Sequence, residues 1–184
     1  MKSIVRKATA VGLAAAMAIG SMALSPVKGS QNVMSGNGDF ETGTADEWNL
    51  SWDSATVSVD QYASNNTTFT LTLPWYEADT EVSASYTTGT LDAGTYKVSL
   101  DISGAEMNSG LKLSVNAADG TQLYTSDAIT TTGWDAWQTV TSDEIVLDAQ
   151  GTVTVTLGGT ETATYWGNID NLVIEKTDGD TEEA

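Results

Sequence analysis

The sequence predicts an all-β fold, an antiparallel β-sandwich of jelly-roll type, on three observations. Apolar residues alternate with Thr and Ser in several short runs, and turn signals fall between those runs. Beyond residue 29 no segment sustains a helical 3.6-residue period, and Pro26 and Pro74 are the only prolines. About nine or ten short strands at this spacing fit two packed antiparallel sheets better than a barrel or an α/β fold.

Residues 1–29 stand apart from that pattern. Lys2, Arg6 and Lys7 precede a small apolar run from Ala8 to Ile19, and Ser21-Met22-Ala23 supplies a small-x-small cleavage site. This is a secretory signal peptide with the start of a linker, cleaved after Ala23, so a secreted, extracellular protein is expected. The run is shorter than the ~20 residues that cross a bilayer, and no second apolar span follows, so no membrane partner is expected.

The remaining elements follow in order. Asn37-Gly38-Asp39-Phe40-Glu41 reads as the first strand, with Phe40 inward and Asp39 and Glu41 on the opposite face. Trp48 and Trp52 sit in an irregular stretch that leads into a strand. Alternation then marks Val57 and Val59; Phe69, Leu71 and Leu73; Tyr96, Val98, Leu100 and Ile102; Leu111, Leu113 and Val115; and Val153, Val155 and Leu157. Turns are expected at Asn65-Asn66, Asp92-Ala93-Gly94, Asp119-Gly120, Gln150-Gly151 and Gly158-Gly159, with Asp119-Gly120 the clearest hairpin. Gly133-Trp134-Asp135-Ala136-Trp137 opens a further strand, with one Trp, by preference Trp137, in the core and the other at the rim. Tyr165 to Lys176 is the closing strand, returning to the first. The segment 177–184 reads as an acidic disordered tail or linker start, so the folded domain is residues 30–176.

Composition narrows the chemistry. Outside the first 29 residues only Lys97, Lys112 and Lys176 stand against 25 acidic side chains, so nucleic acid and anionic surfaces are poor partners. There is no Cys and no His, which removes Ser–His–Asp and Cys–His catalysis, zinc spacing and disulfides together. Any metal should be a hard, oxygen-liking one. No pair of carboxylates is singled out for glycoside hydrolysis, so no catalytic residue is assigned.

The aromatic residues carry the positive signal. Six Trp and six Tyr against two Phe favours rings with a polar edge, the kind that stack on the C–H face of a sugar while nearby polar groups fix its hydroxyls. Trp75-Tyr76 is the best candidate pair, since Pro74 before it and Glu77-Ala78-Asp79 after it place it at a strand end on the surface. Trp134 and Trp166 suit either the sugar or the core. Asp170 within the apolar closing strand is either solvent-facing or held by a partner that offsets its desolvation.

Four motifs in sequence resemble those of β-sandwich carbohydrate-binding modules: Asn37 to Gly43, Leu91-Asp92-Ala93-Gly94-Thr95-Tyr96, Gly133 to Trp137, and Trp166-Gly167-Asn168-Ile169-Asp170-Asn171. Their order and spacing are most similar to carbohydrate-binding module family 61, the galactan-binding modules of arabinogalactan endo-β-1,4-galactanases of glycoside hydrolase family 53. The likeness spans roughly residues 35–176. It implies a structural calcium ion (Ca2+) between the chain ends, held by Glu41 and Asp170 and less securely by Asp39, and a sugar site lined by Trp75 and Tyr76. Where such modules often carry Gln before the Leu-x-x-Gly-Thr-Tyr turn, this chain has Tyr86.

The catalytic barrel that accompanies these modules needs about 250 residues and is absent from the sequence. The expectation is therefore a non-catalytic, monomeric module that binds β-1,4-galactan or a related plant polysaccharide beside an attached or associated glycoside hydrolase. The alternatives are the N-terminal portion of a longer galactanase and a structural or adhesion module of the cell surface.

Overall fold

Period-2 alternation along the chain closes into two facing antiparallel sheets. The computed structural model describes residues 31–52, 56–59 and 69–177. The expected signal peptide, the expected Asn65-Asn66 turn and the expected tail after Thr177 lie outside the described residues. Twelve strands follow in chain order: β1 (Gln31–Asn32), β2 (Trp48–Leu50), β3 (Thr56–Val59), β4 (Phe69–Thr72), β5 (Thr80–Thr87), β6 (Gly94–Gly104), β7 (Lys112–Ala117), β8 (Gln122–Thr125), β9 (Gly133–Thr141), β10 (Ile145–Leu147), β11 (Val153–Glu161) and β12 (Gly167–Thr177).

The larger sheet runs β10-β6-β12-β4-β3, with β9 also on β6 and β1 also on β12; the smaller runs β2-β5-β11-β7-β8. All pairings are antiparallel, and no helix occurs among the described residues. This is the expected all-β sandwich. Its core lies between the sheets, where Leu71, Val98, Leu100, Ile102, Ile169 and Ile174 meet Ala84, Leu113, Val115, Val155 and Leu157, all essentially inaccessible to solvent. Each Val, Leu or Ile among them contributes about 1.5–3 kcal/mol by leaving water. With no disulfide in the chain, that burial carries the fold.

The closing strand does return to the start of the chain, because Gln31 pairs with Lys176 and Asn32 with Glu175. The segment 37–41 is not that first strand. It is a run of turns that crosses the sheet, with Phe40 in the left-handed region at φ 55° and Gly43 N–H closing on the Phe40 carbonyl at 2.8 Å. Asp-Phe-Glu mimics strand alternation, yet Phe40 reaches the core from a turn, where it meets the Trp48 ring at 5.0 Å between centroids.

Gly158-Gly159 is likewise not a turn. Both lie inside β11, opposite Ser83 and Val82, and a side chain on Gly158 would lie 2.9 Å from the Val82 carbonyl oxygen. Gly159 holds φ at 140°, so glycine serves close approach here rather than reversal. The Asp119-Gly120 hairpin does join β7 to β8, with Asp119 Oδ1 accepting the Thr121 N–H at 2.9 Å. That bond holds the Asp119 carboxyl below its usual range.

Replacing Phe40 by Ala is expected to cost about 3–5 kcal/mol, the ordinary toll of truncating a buried Phe. Urea unfolding followed by fluorescence checks this; a midpoint equal to wild type would place Phe40 outside the core.

Candidate aromatic binding site and calcium locus

Strand register decides which side chains meet. In the larger sheet Gly104 of β6 lies opposite Gly133 of β9 on one side and Gly167 of β12 on the other, and Leu73 N–H donates to the Gly167 carbonyl at 2.8 Å. The transverse line Gly133–Gly104–Gly167–Leu73 therefore crosses four strands at one end of the sheet. Three interstrand steps make it roughly 14 Å long. Trp134 follows Gly133, Trp166 precedes Gly167, and Trp75 stands two residues beyond Leu73. All three are exposed, at 46%, 38% and 54% respectively, so a row of three exposed tryptophan positions flanks this line.

The row rests on a fixed base. Thr164 N–H donates to the Tyr76 carbonyl at 2.8 Å, Ala163 N–H to Asp79 Oδ1 at 2.8 Å, and Ala105 N–H to the Trp166 carbonyl at 3.0 Å. These bonds tie the 73–79, 104–110 and 162–166 loops to one another. Tyr76 is half-buried against the core, so of the adjacent pair Trp75 is the free ring and Tyr76 the anchor. Beneath them Tyr165 is fully buried, its hydroxyl accepting from Thr131 Oγ1 at 3.4 Å. Burial pushes its pKa up to about 12, the Thr131 bond opposes this, and the nearby Glu161 carboxylate adds to it. A Cβ on Gly104 would run into the Tyr165 hydroxyl and lie 2.6 Å from the Trp166 carbonyl oxygen, which is why glycine occupies the middle of the line.

Trp137 is half-buried and absent from the core, contrary to the expectation for it. It shares strand parity with Thr139, whose hydroxyl donates to Asp101 Oδ1 on the outer face of the larger sheet. Asn171 Nδ2 donates to Asp101 Oδ2 at 3.1 Å, and Thr72 Oγ1 to Asn168 Oδ1 at 3.0 Å, so polar groups line this face beside the row. Trp48 and Trp52 are buried.

The calcium expectation centres on β12. Its register with β6 slips between Asp170 and Val173, and Asn171 takes φ 47°, marking a β-bulge. Asp170 is wholly buried, which removes the solvent-facing alternative, and its Oδ1 accepts the Asn171 N–H at 2.7 Å. The pairing of Asn168 with Thr72 and Ile169 with Leu71 would next set Asn171 against Phe69. There the Phe69 N–H donates instead to Glu41 Oε1 at 2.8 Å, so the Glu41 carboxylate occupies the place the bulge vacates in the ladder. Asp39 is exposed, its Oδ1 at 3.3 Å from the Glu41 N–H.

Among the described residues no three acidic side chains gather as a metal-holding group. Glu41 and Asp170 match calcium in the kind of donor, hard oxygen, while the six to eight oxygens it takes would have to include main-chain carbonyls and water.

Tyr86 lies inside the sandwich. Its ring packs on Trp48 at 5.8 Å between centroids and its hydroxyl donates to the Ser35 carbonyl, so this residue belongs to the core and leaves the row untouched.

No family model matches this chain, and no curated protein sequence does. Solved structures match its fold. A family 61 carbohydrate-binding module, solved with β-1,4-galactotriose, superposes with TM-score 0.61 at 24% identity, covering 80% of this chain and all of the module. The xylan-binding CBM22-1 domain of Paenibacillus barcinonensis Xyn10C gives TM-score 0.56 at 14% identity over 77% of this chain and 92% of the domain. The Stig cyclase Fisc of Fischerella gives 0.62 at 11% identity over 83% of this chain and all of the cyclase. The sandwich thus serves both binding modules and an enzyme, and function has to be argued from the site.

Acrylamide quenching checks the exposure pattern. Two classes of tryptophan are expected, and changing Trp75, Trp134 and Trp166 together to Phe should abolish most of the accessible class. A single uniform class would contradict the row.

Proposed function

We propose that this protein is a secreted, non-catalytic carbohydrate-binding module that holds β-1,4-galactan or a related plant polysaccharide on the row Trp75, Trp166 and Trp134, with Tyr76 as the anchor of its loop. The observation that carries the reading is the row itself. Three exposed indoles flank a backbone line about 14 Å long that runs across β9, β6, β12 and the end of β4, beside polar side chains able to reach hydroxyl groups. A water-soluble protein gains nothing for its own stability from exposing three such rings, and exposed apolar surface rimmed by polar groups marks a binding surface.

A neutral polysaccharide suits the site's electrostatics. With three basic side chains outside residues 1–29, the chain would repel a polyanion, whereas galactan carries no charge. The resemblance in the tryptophan motifs and the fold likeness to a module solved with galactotriose support galactan over other sugars. By presenting a polymer to a tethered or associated glycoside hydrolase, such a module raises the enzyme's local substrate concentration.

In the same reading Glu41 and Asp170 hold a structural calcium ion at the β12 bulge. A bound divalent cation there would neutralise the two carboxylates and join the turn segment 37–43, already bonded to β4 through Phe69 and to β12 through Leu172, more tightly to both strands.

Affinity gel electrophoresis on galactan, with xylan and β-glucan as controls, tests the binding claim. Retardation by galactan is expected, and none on any of the three would sink it. Trp75→Ala should weaken binding by about 2 kcal/mol or more, roughly thirtyfold, while leaving the melting temperature unchanged. A variant that unfolds without a sugar phenotype would point to a structural or adhesion role instead. For the metal, EDTA should lower the melting temperature by about 5–10 °C, the effect of removing a ligand present at a hundred times its Kd. An unmoved transition in a preparation free of calcium would contradict it.

A further inference from the structure

β11 ends in an anomaly. Val153, Val155 and Leu157 point inward, and the same parity carries Glu161 into the interior, where it is 1% exposed. Neither of its carboxylate oxygens has a hydrogen-bond partner in the structure. Its ladder neighbour on β5 is Thr80, and on the β7 side Thr162 N–H donates to the Ser109 carbonyl beside it. The titratable groups around it are all accounted for. Tyr165 faces it and feels its charge. Asp79 is taken up by the Ala163 N–H and Glu81 by the Thr160 hydroxyl on the outer face. Glu106, on the adjoining 104–110 loop, is exposed, and Lys112 of β7 is exposed and pairs at Gly158. Among the described residues no cation compensates Glu161.

The next five residues are the 162–166 loop. That loop carries Trp166 at its end, binds the Trp75-Tyr76 loop through Thr164, and holds Thr164 in the left-handed region at φ 66°. A charge at the root of this loop has only two outlets: it takes up a proton, or water must reach it through the loop.

We propose that Glu161 is a proton-responsive latch for the tryptophan row: protonated, it lets the 162–166 loop close on the end of the sandwich, and ionised, it draws water in and releases that loop. For the sugar-binding consequence this rests on the function proposed above; the opening of the loop does not. Burial pushes the Glu161 pKa up from 4.5 to about 7. Because the folded-state value is raised, the folded chain holds a proton that the unfolded chain has released between those two values. Stability is therefore full below about pH 4.5, falls as pH rises to about 7, and is level above it.

The test compares wild type with E161Q at pH 5.5 and pH 8.5 by hydrogen exchange, expressed as protection factors of the amides of residues 162–166, and by binding to galactan. For wild type, loop protection is expected to fall severalfold at pH 8.5, with weaker sugar retention and a lower melting temperature. In E161Q these differences should vanish. Equal protection at both pH values in wild type, or a pH response that survives in E161Q, overturns the latch. If E161Q does not fold, E161M replaces it, and the wild-type exchange alone remains decisive against the proposal. Absence of galactan binding at both pH values would strike the proposed function, while the exchange data would still decide the latch.

Discussion

The ladder of β12 is the constraint on which the rest depends. This one strand hydrogen-bonds to β6 along most of its length, to β4 near its start and to β1 near its end. An interior strand must satisfy every backbone donor and acceptor it buries, including those around a defect. The bulge at Asp170-Asn171 is such a defect, and the molecule meets it with side chains. Asp170 takes up the Asn171 N–H, Asn171 reaches Asp101, and Glu41 takes the Phe69 N–H. The turn segment 37–43 lies where it does partly because its carboxylate completes a neighbouring strand's ladder. The same strand starts at Gly167, so the position of Trp166, and through Leu73 that of Trp75, follows from the same pairing.

Legibility in the sequence tracked how local each signal was. β4, β6, β7 and β11 were visible because valine, leucine and isoleucine alternate with threonine and serine, a pattern that depends on nothing outside the segment. β5 carries no such signal, because its inward residues, Val82, Ala84 and Tyr86, are too heterogeneous to read as one face. The opening motif misled in the opposite direction, since Asp-Phe-Glu imitates alternation while the backbone at Phe40 is left-handed. Gly158-Gly159 imitated a turn because glycine relieves crowding in a strand as readily as it reverses a chain.

The candidate site was half legible. Trp75, Trp134 and Trp166 were identifiable as rings of the right kind, but that they stand in one line depends on the strand order β9-β6-β12-β4, which no local pattern contains. Trp137 goes to the outer face with Thr139, and that Thr139 faces outward follows from its pairing with Asp101 on β6, another non-local fact. Glu161 carries two opposed local signals. Thr-Glu-Thr looks like a solvated strand end, yet counting by twos from Val153 puts it with the core.

The pairing of Gln31 with Lys176 has a mechanical consequence. Gln31 and Lys176 stand side by side at one end of β12, and Trp166 stands at the other, about 35 Å away for an eleven-residue strand. A pull between the Trp166 end of β12 and its Gln31–Lys176 end runs lengthwise along β12. It loads the β12–β6 bonds together, in shear. A pull between Gln31 and Thr177 would instead peel the short β1–β12 pairing bond by bond. The fold thus meets a pull along β12 with many bonds in shear and a pull between Gln31 and Thr177 with one bond at a time.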